Sequence, residues 1–499
     1  MADTKREIER KYESDDSGLP DLTGVGKVAA VLDKGTAELD ATYYDTVDER
    51  LAAASLTLRR RTGGADAGWH LKFPVAPGVR DEIRTPLADT VPEEIAALVR
   101  SRVRDTELIP LVRLRSARDV RHLVDADGTL LAEASIDDVT AERLTGKGGT
   151  AQWTEIEVEL ADGGDPAFLD QVEKRLRRAG VRPSTSPSKL ARALEQTAGR
   201  RRRKPKPSKP TTAGDHVLAY LRTQRDALLD LDPAVRRDVP DSVHRMRVAT
   251  RRARSTLRTF RAVLDRAVTD PVGTELKWLA GELGIDRDQE VLTERLTAAL
   301  DALPPALVTG PVQDRLATWG RTRRSGAHGH LTGVLDSRRY LTLLDTFDAL
   351  LADPPLRKAA DRKPDKVLTK AVHQDLARLS ALVEQALDLP PGADRDLALH
   401  EARKKAKRTR YAAEAATPAL GTPARSLTAS MKSLTTLLGD HQDSVMARHT
   451  LRELSAVAHA AGENAFAYGV LYGREEQRAT AAETRLPGLW KKIGSGAWG

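Results

Sequence analysis

The sequence predicts an α+β protein of two domains, an antiparallel β-barrel followed by an all-helical half. Three observations carry that prediction. The first 160 residues hold eight short segments of alternating side-chain character, divided by turn signals such as Gly63-Gly64, Pro77-Gly78, Asp127-Gly128 and Gly148-Gly149. From Asp215 onward the period changes to 3.6 and the chain turns rich in Ala, Leu and Arg. Between the two, Gly199–Pro210 reads GRRRRKPKPSKP. Its prolines forbid a helix or central strand and its like charges repel, so it reads as an extended linker.

Composition narrows the function classes. A chain of 499 residues is too long for one compact core, and its 40% apolar residues suffice for globular folding. A net charge of +8 favours anionic partners, and nucleic acid, phosphate polymers and acidic membrane surfaces all fit it. The absence of cysteine excludes disulfides, thiolate zinc sites and cysteine nucleophiles. No apolar run reaches about 18 residues and no signal-peptide core opens the chain, so a cytoplasmic protein without a membrane span is expected.

Strands are expected at Lys5–Tyr12, Glu38–Thr46, Leu56–Arg61, Trp69–Phe73, Arg80–Pro86, Ser116–Val124, Thr129–Val139 and Gln152–Leu160. Helices are expected at Pro92–Val99, Pro166–Arg178 and Ser188–Gln196. In the first strand, Glu7, Glu9 and Lys11 are two residues apart and emerge on one face. Carboxylates beside an ammonium suit a hard metal and an anionic ligand sharing that surface. Later strands repeat the design with Arg59 and Arg61, His70 and Lys72, Arg80, Glu82 and Arg84, then Arg118, and finally Glu155, Glu157 and Glu159. The opposite faces carry Leu56, Leu58, Ile156 and Val158, which must pack on something, most simply on covering helices. The charged faces then line the lumen of a closed barrel, and Arg60 points away from it. Charges so buried cost several kcal/mol each unless paired or bound to a ligand.

The Glu7-x-Glu9-x-Lys11 opening, Tyr43-Tyr44-Asp45-Thr46, Leu58-Arg59-x-Arg61, Leu71-Lys72, the Glu155/Glu157/Glu159 strand and Ser188-Lys189 resemble the CYTH family, the triphosphate tunnel metalloenzymes, over about residues 4–196. The resemblance implies an eight-stranded tunnel that binds a triphosphate with Mg²⁺ or Mn²⁺. It implies that Lys11, Arg59, Arg61, Lys72, Arg118 and Lys189 hold phosphates, and that Glu7, Glu9, Glu155, Glu157 and Glu159 hold metal. Glu7, Glu9 and Lys11 are the expected catalytic set, and Glu82 and Asp137 match further acidic positions. Arg113, Arg115 and Arg118 compete for one phosphate position, which Arg118 fits best. Such a site works by charge neutralisation and an in-line water, without a serine or histidine triad.

The clearest helices of the second half are Val217–Leu229, Val243–Val263, Thr274–Leu283, Val291–Leu300, Leu341–Leu351, Val367–Leu387, Leu397–Ala416 and Leu427–Leu438, divided by Pro304-Pro305, Pro354-Pro355 and Pro390-Pro391. This half is duplicated. His244, Arg247, Arg251 and Arg254 share one helical sector, flanked by Arg252; His400, Arg403, Lys407 and Arg410 share another, widened by Lys404 and Arg408. The histidines lie 156 positions apart, and Leu283-Gly284 with Asp288 recurs 155 positions later as Leu438-Gly439 with Asp443. The acidic residues after each Leu-Gly suit helix capping or pairing with arginine better than metal binding. Aromatics are nearly absent from the basic stripes, so stacking on single-stranded bases is not expected.

These motifs, with Gly439-Asp440-His441-Gln442-Asp443 and Tyr468-Gly469…Tyr472-Gly473, resemble the CHAD family over about residues 213–485. The resemblance implies duplicated four-helix bundles that bind inorganic polyphosphate along the basic surface just described. Residue Glu290 stands where aspartate is expected, with the charge kept. The expected layout is a tunnel domain over 1–198, a linker over 199–212, a helical domain over 213–485 and a tail over 486–499. The expected function is metal-dependent hydrolysis of inorganic triphosphate joined to polyphosphate binding, with nucleic acid and membrane not expected as partners. Adenylate cyclase and thiamine triphosphatase are the enzymatic alternatives; a non-enzymatic protein associated with polyphosphate granules is the other.

Overall fold

The computed structural model describes residues 3–14, 18–64, 66–146, 148–197, 209–324 and 327–496. The chain divides into two compact units, 1–206 and 207–499. The linker expected over 199–212 lies largely outside the described residues. Its end does not: Thr212 caps the first helix of the second unit through its side chain, and Asp215 completes a reciprocal capping box.

The first unit is a closed antiparallel barrel. Its strands are β1 (Asp3–Glu13), β2 (Ala30–Asp45), β3 (Thr57–Thr62), β4 (Gly68–Ala76), β5 (Val79–Thr85), β6 (Ile109–Val124), β7 (Leu130–Arg143) and β8 (Thr150–Leu160). They run in the order β5-β4-β3-β2-β6-β7-β8-β1, with β5 pairing back onto β1 and the two-residue strand β9 (Arg182–Pro183) added beside β1. The seam is staggered, because β1 pairs with β5 from Asp3 to Ile8 and with β8 from Glu9 to Glu13. At the β4–β5 turn, Gly78 has φ +71°, and a Cβ there would stand 2.8 Å from the Glu9 carbonyl oxygen. Glycine therefore lets this turn reach the seam, where Glu9 N–H donates to the Gly78 carbonyl at 2.9 Å.

Alternation sends apolar side chains outward, and helices cover them. Helix α2 (Glu93–Val103) buries Ile95, Leu98 and Val99 on Leu58, Trp69, Leu71 and Ile83. Helix α3 (Ala167–Arg178) buries Leu169, Val172 and Leu176 on Tyr12, Ile156 and Val158. Helix α4 (Lys189–Thr197) sets Leu190 and Ala193 among Leu114, Val139 and Trp153. A fully buried residue such as Leu58 contributes about 1.5–3 kcal/mol. The hydrophobic core thus lies outside the barrel wall, which leaves the lumen to the charged faces. One short helix escapes the sequence reading: α1 (Arg50–Ala53) is held by the buried Asp45, whose carboxylate accepts from the Leu51 and Ala52 N–H groups at 2.9 Å each.

The second unit is built of helices: α5 (Ala213–Arg236), α6 (Ser242–Thr259), α7 (Arg266–Glu282), α8 (Ile285–Asp301), α9 (Val312–Arg324), α10 (Ala327–Asp336), α11 (Arg338–Ala352), α12 (Pro364–Asp388), α13 (Ala393–Leu420), α14 (Thr422–Ala460) and α15 (Phe466–Gly494). The double prolines fall between the α-helices, and Pro305 opens a short 3-10 turn over Pro305–Leu307. Helices α9, α10 and α15 have no clear sequence signal, since Gly329 and Gly333 dilute α10 and Gly469, Gly473 and Pro487 dilute α15. The tail expected from residue 486 is corrected: α15 runs on to Gly494 with Leu486 and Ile493 buried in the main core. The two repeats differ in one respect. Helices α7 and α8 break at Leu283-Gly284, whereas the 39-residue α14 runs straight through Leu438-Gly439. Its first half packs in the main core and its second half, from Ala447 to Ala458, in a separate one with α8, α9 and α15. Among the described residues no helix is long and apolar enough to cross a membrane.

Candidate functional site

The barrel encloses a cavity of about 490 Å³. Strand β1 supplies Lys5, Glu7, Glu9 and Lys11, β3 supplies Arg59 and Arg61, β4 supplies Lys72, and β5 supplies Arg80 and Arg84. Arg118 comes from β6, Glu157 and Glu159 from β8, and Lys189 from the start of α4. Arg60 faces the other way and donates to the Ala88 carbonyl at 3.0 Å. Of the three arginines on β6, Arg113 pairs with Asp40 and Arg115 is exposed near Glu142, so Arg118 is the one in the lumen.

Ten cationic and seven acidic residues line the cavity, and Glu82, Asp137 and Glu155 stand buried close behind them, so the charges nearly cancel. Two acidic hubs organise this lattice. The fully buried Glu82 receives His70 Nδ1 at 3.0 Å, Lys72 Nζ at 3.4 Å and an Arg59 nitrogen at 3.6 Å, and also pairs with Arg84. Burial opposes its charge, but His70, Lys72 and Arg59 outweigh burial and hold the carboxyl well below the usual range. The other ring nitrogen of His70 faces the Asp66 carbonyl at 2.9 Å.

The second hub joins Asp137, Glu155 and Glu157, whose carboxylate oxygens lie within 4.8 Å of one another. Lys189 Nζ stands among them at 3.1, 2.7 and 2.6 Å. Arg118 grips Asp137 with two bonds of 2.8 Å and reaches Glu157 at 2.7 Å. Burial would raise the Glu157 carboxyl, yet Lys11, Lys189 and Arg118 drive it well below the usual range. Burial would likewise lower the Lys189 ammonium, but Asp137, Glu157 and Glu155 raise it. Three buried carboxylates that gather a cation fit a hard divalent ion by donor type and spacing.

The five expected metal ligands do not form one cluster. Glu155 and Glu157 join the second hub, with Asp137 as its third member. Glu7 lies 2.5 Å from Lys72 and 3.4 Å from Arg84, and Glu9 lies 3.3 Å from Lys11 and 3.8 Å from Arg80. Glu159 pairs with Lys5 at 2.6 Å. Burial raises the Glu7 carboxyl against the pull of Lys72, whereas at Glu9 burial is outweighed by Lys11, Lys72 and Arg80 together, which lower it. Sequence reasoning missed Lys5 and Asp66. Lys5 shares the parity of Glu7, so one more step along the strand finds it. Asp66, which pairs with the buried Arg61, lies in a loop that no periodicity marks.

In the helical unit the two basic stripes become one. Lys407 of α13 is pushed down to about 7 by burial and then by Arg251, Arg403 and Arg247, which places residues of α6 and α13 around one ammonium. Burial and then Arg258, Arg251 and Arg408 lower Arg254, so the band continues through Arg251. His244 is exposed on α6. Burial lowers His400, with a hydrogen bond to Gln442 opposing it. Three flanking residues are engaged internally: Arg252 with Glu414 at 2.9 Å, Lys404 with Glu401, and Arg408 with Asp375 at 3.0 Å. Arg410 lies 5.7 Å from the Tyr411 ring centroid. Asp443 stands 3.9 Å from Arg403, while the Asp288 side chain lies outside the described ones. His441, Asp396 and Glu483 form another tight group, in which Nε2 lies 3.2 Å from each carboxylate and Arg448 and Arg395 hold the carboxylates.

A closed β tunnel lined by paired charges, joined to a duplicated helical unit whose basic stripes converge, defines the class of protein. The CYTH domain model matches residues 5–193 and the CHAD domain model matches residues 219–452. The chain belongs to the family of proteins that join these two domains. An uncharacterized protein of Mycobacterium tuberculosis (strain CDC 1551 / Oshkosh) is 38% identical over 503 residues, covering 98% of this chain and 96% of that one. Among solved structures, PptA from Streptomyces chartreusis is 25% identical with a TM-score of 0.48, covering 57% of this chain and 100% of its own. The CHAD domain from the plant Ricinus communis is 22% identical with a TM-score of 0.44, covering 60% and 97%.

Proposed function

We propose that the tunnel hydrolyses inorganic triphosphate with the help of a divalent metal, and that the helical unit binds inorganic polyphosphate. The observation that carries this reading is the mutual neutralisation of the lumen. Lys11, Arg59, Arg61, Lys72, Arg118 and Lys189 take the non-bridging oxygens of the substrate, the arginines in bidentate fashion where geometry allows. Asp137, Glu155 and Glu157 would hold the metal, with Glu9 beside them on the adjoining strand β1, where Lys11 bridges it to Glu157, and Glu7 two residues further along. A bound divalent ion supplies charge neutralisation and water activation. Lys189, held by these three acids at rest, would meet a phosphate oxygen once they are otherwise neutralised. The terminal phosphoanhydride bond then yields to water, giving orthophosphate and pyrophosphate, while the tunnel excludes bulk solvent and fixes the in-line approach.

Among the described residues Tyr43 is the one aromatic side chain in the lining, and an Arg59 nitrogen lies 3.5 Å from its hydroxyl. A wall without a free aromatic face favours an inorganic substrate over one that carries an adenine or thiazolium ring. Phosphate release from tripolyphosphate, ATP and thiamine triphosphate, each with Mg²⁺ or Mn²⁺, tests the assignment. Turnover of tripolyphosphate is expected to dominate. Dominant turnover of ATP or thiamine triphosphate overturns the substrate, and no turnover of any overturns the enzyme.

A further inference from the structure

Glycine is a poor helix former because it loses the most backbone freedom on folding. Gly284 and Gly439 nevertheless occupy matching points of the two repeats. Gly284 sits at the α7–α8 junction with φ −92° and ψ −28°, and Gly439 lies inside α14. Neither belongs to the left-handed glycines of the chain. What each lacks is a side chain, and an arginine of the basic stripes fills the space. A Cβ on Gly284 would stand 2.8 Å from a terminal nitrogen of Arg247 and 3.0 Å from its guanidinium carbon. A Cβ on Gly439 would stand 3.5 Å from a terminal nitrogen of Arg403 and 3.7 Å from its Nε. These two arginines hold equivalent places in the duplicated motif, three residues after His244 and His400.

We propose that Gly284 is a positioning residue, a seat on which the Arg247 guanidinium rests so that it stands with Arg403 beside Lys407 to meet phosphate oxygens, and that Gly439, its counterpart in the second repeat, leaves Arg403 more room. The proposal rests on the polyphosphate reading and deepens it. A guanidinium set against bare backbone has fewer rotamers left to lose when the polymer binds. At Arg403 the Nε is a buried donor without a hydrogen-bond acceptor among the described residues, which an anionic oxygen would satisfy. The seats are unequal. Alanine forces the guanidinium off Gly284, whereas at Gly439 the added methyl only makes ordinary contact.

The test uses the full chain in chelator, so that the tunnel does not turn over, with long-chain polyphosphate titrated across a salt series. Gly284→Ala is expected to lower the melting temperature slightly with the fold kept, because Gly284 caps α8 and the methyl would also stand 3.1 Å from the Gly281 carbonyl oxygen. It is expected to weaken binding about tenfold, the cost of one charge-assisted contact, and to reduce the salt slope by about one. Arg247→Ala should show the same loss, and the two changes together no more than either. Gly439→Ala should stay within about twofold of wild type. Wild-type affinity and slope in Gly284→Ala, or additive losses in the pair, would overturn the seat. A ligand-free reading separates this failure from failure of the polyphosphate reading. Moving Arg247 away relieves repulsion on Lys407, so Lys407 should titrate higher by NMR in Gly284→Ala. An unchanged Lys407 sinks the seat, whereas a wild-type chain that ignores polyphosphate sinks the ligand.

Discussion

Glu7 and Glu9 stand on either side of the point where β1 exchanges β5 for β8, and each carboxylate is met by a lysine of the lumen. Replacing both by glutamine keeps the shape and removes two charges. Turnover of tripolyphosphate should then fall at least about 100-fold at matched metal concentration, since metal and attacking water account for several kcal/mol of such a barrier. The circular dichroism spectrum should stay that of the folded chain. Wild-type turnover in the double variant would remove these carboxylates from the site. Lys11→Ala tests the neighbouring cation. Losing one charge-assisted phosphate contact should lower kcat/KM about tenfold, with KM raised, as steady-state phosphate release would show. Asp66 marks the limit of such reasoning from sequence, because it meets Arg61 from a loop and shares no spacing with the strands.

The facing of β3 and β8 was legible from parity, since a one-residue slip would have thrown Leu58, Ile156 and Val158 into the lumen. Ends were less so: β2 and β6 run well beyond their alternating segments, to Ala30 and Ile109, because pairing with each other continues where side-chain pattern fades. Among the helices, repetition revealed the motif of α6 and α13, yet periodicity within one helix says nothing of what faces it. Only packing shows that the two stripes surround Lys407. That convergence gives a pH dependence. Lys407 titrates at about 7, against 10.5 ordinarily, so at pH 8.5 its amine is largely neutral and a polyanion must draw a proton in. Polyphosphate affinity should therefore fall as pH rises from 6 to 8.5, and Lys407→Arg should flatten the profile. The unfolded chain holds this proton between about pH 7 and 10.5 while the folded chain has lost it, so the same group adds stability as pH rises through that window. Burial disfavours the imidazolium of His400, so any gain in affinity from its protonation comes at a pH below the usual histidine range. A flat affinity profile in the wild-type chain would remove Lys407 from the binding surface.

At the scale of the molecule, two units with separate cores should fold and act separately. Residues 1–198 alone should keep tripolyphosphate turnover, and a fragment from Thr211 should bind polyphosphate without hydrolysing it. Binding by that fragment should weaken steeply with salt, as counterion release requires. Long-chain polyphosphate should outcompete double-stranded DNA at equal phosphate concentration; DNA binding as well or better would reassign the ligand. The 39-residue α14 belongs to both helical cores, so calorimetry of the fragment should show one transition, not two. The tunnel has a consequence of another kind. At rest its wall is an internal salt, with nearly every cation already matched by an acid. An anion arriving alone strands the carboxylates, and a metal arriving alone strands the ammonium and guanidinium groups. Under the proposed reading the tunnel is a coincidence detector: it opens its charges to a metal and a phosphate chain together, and stays shut to either without the other.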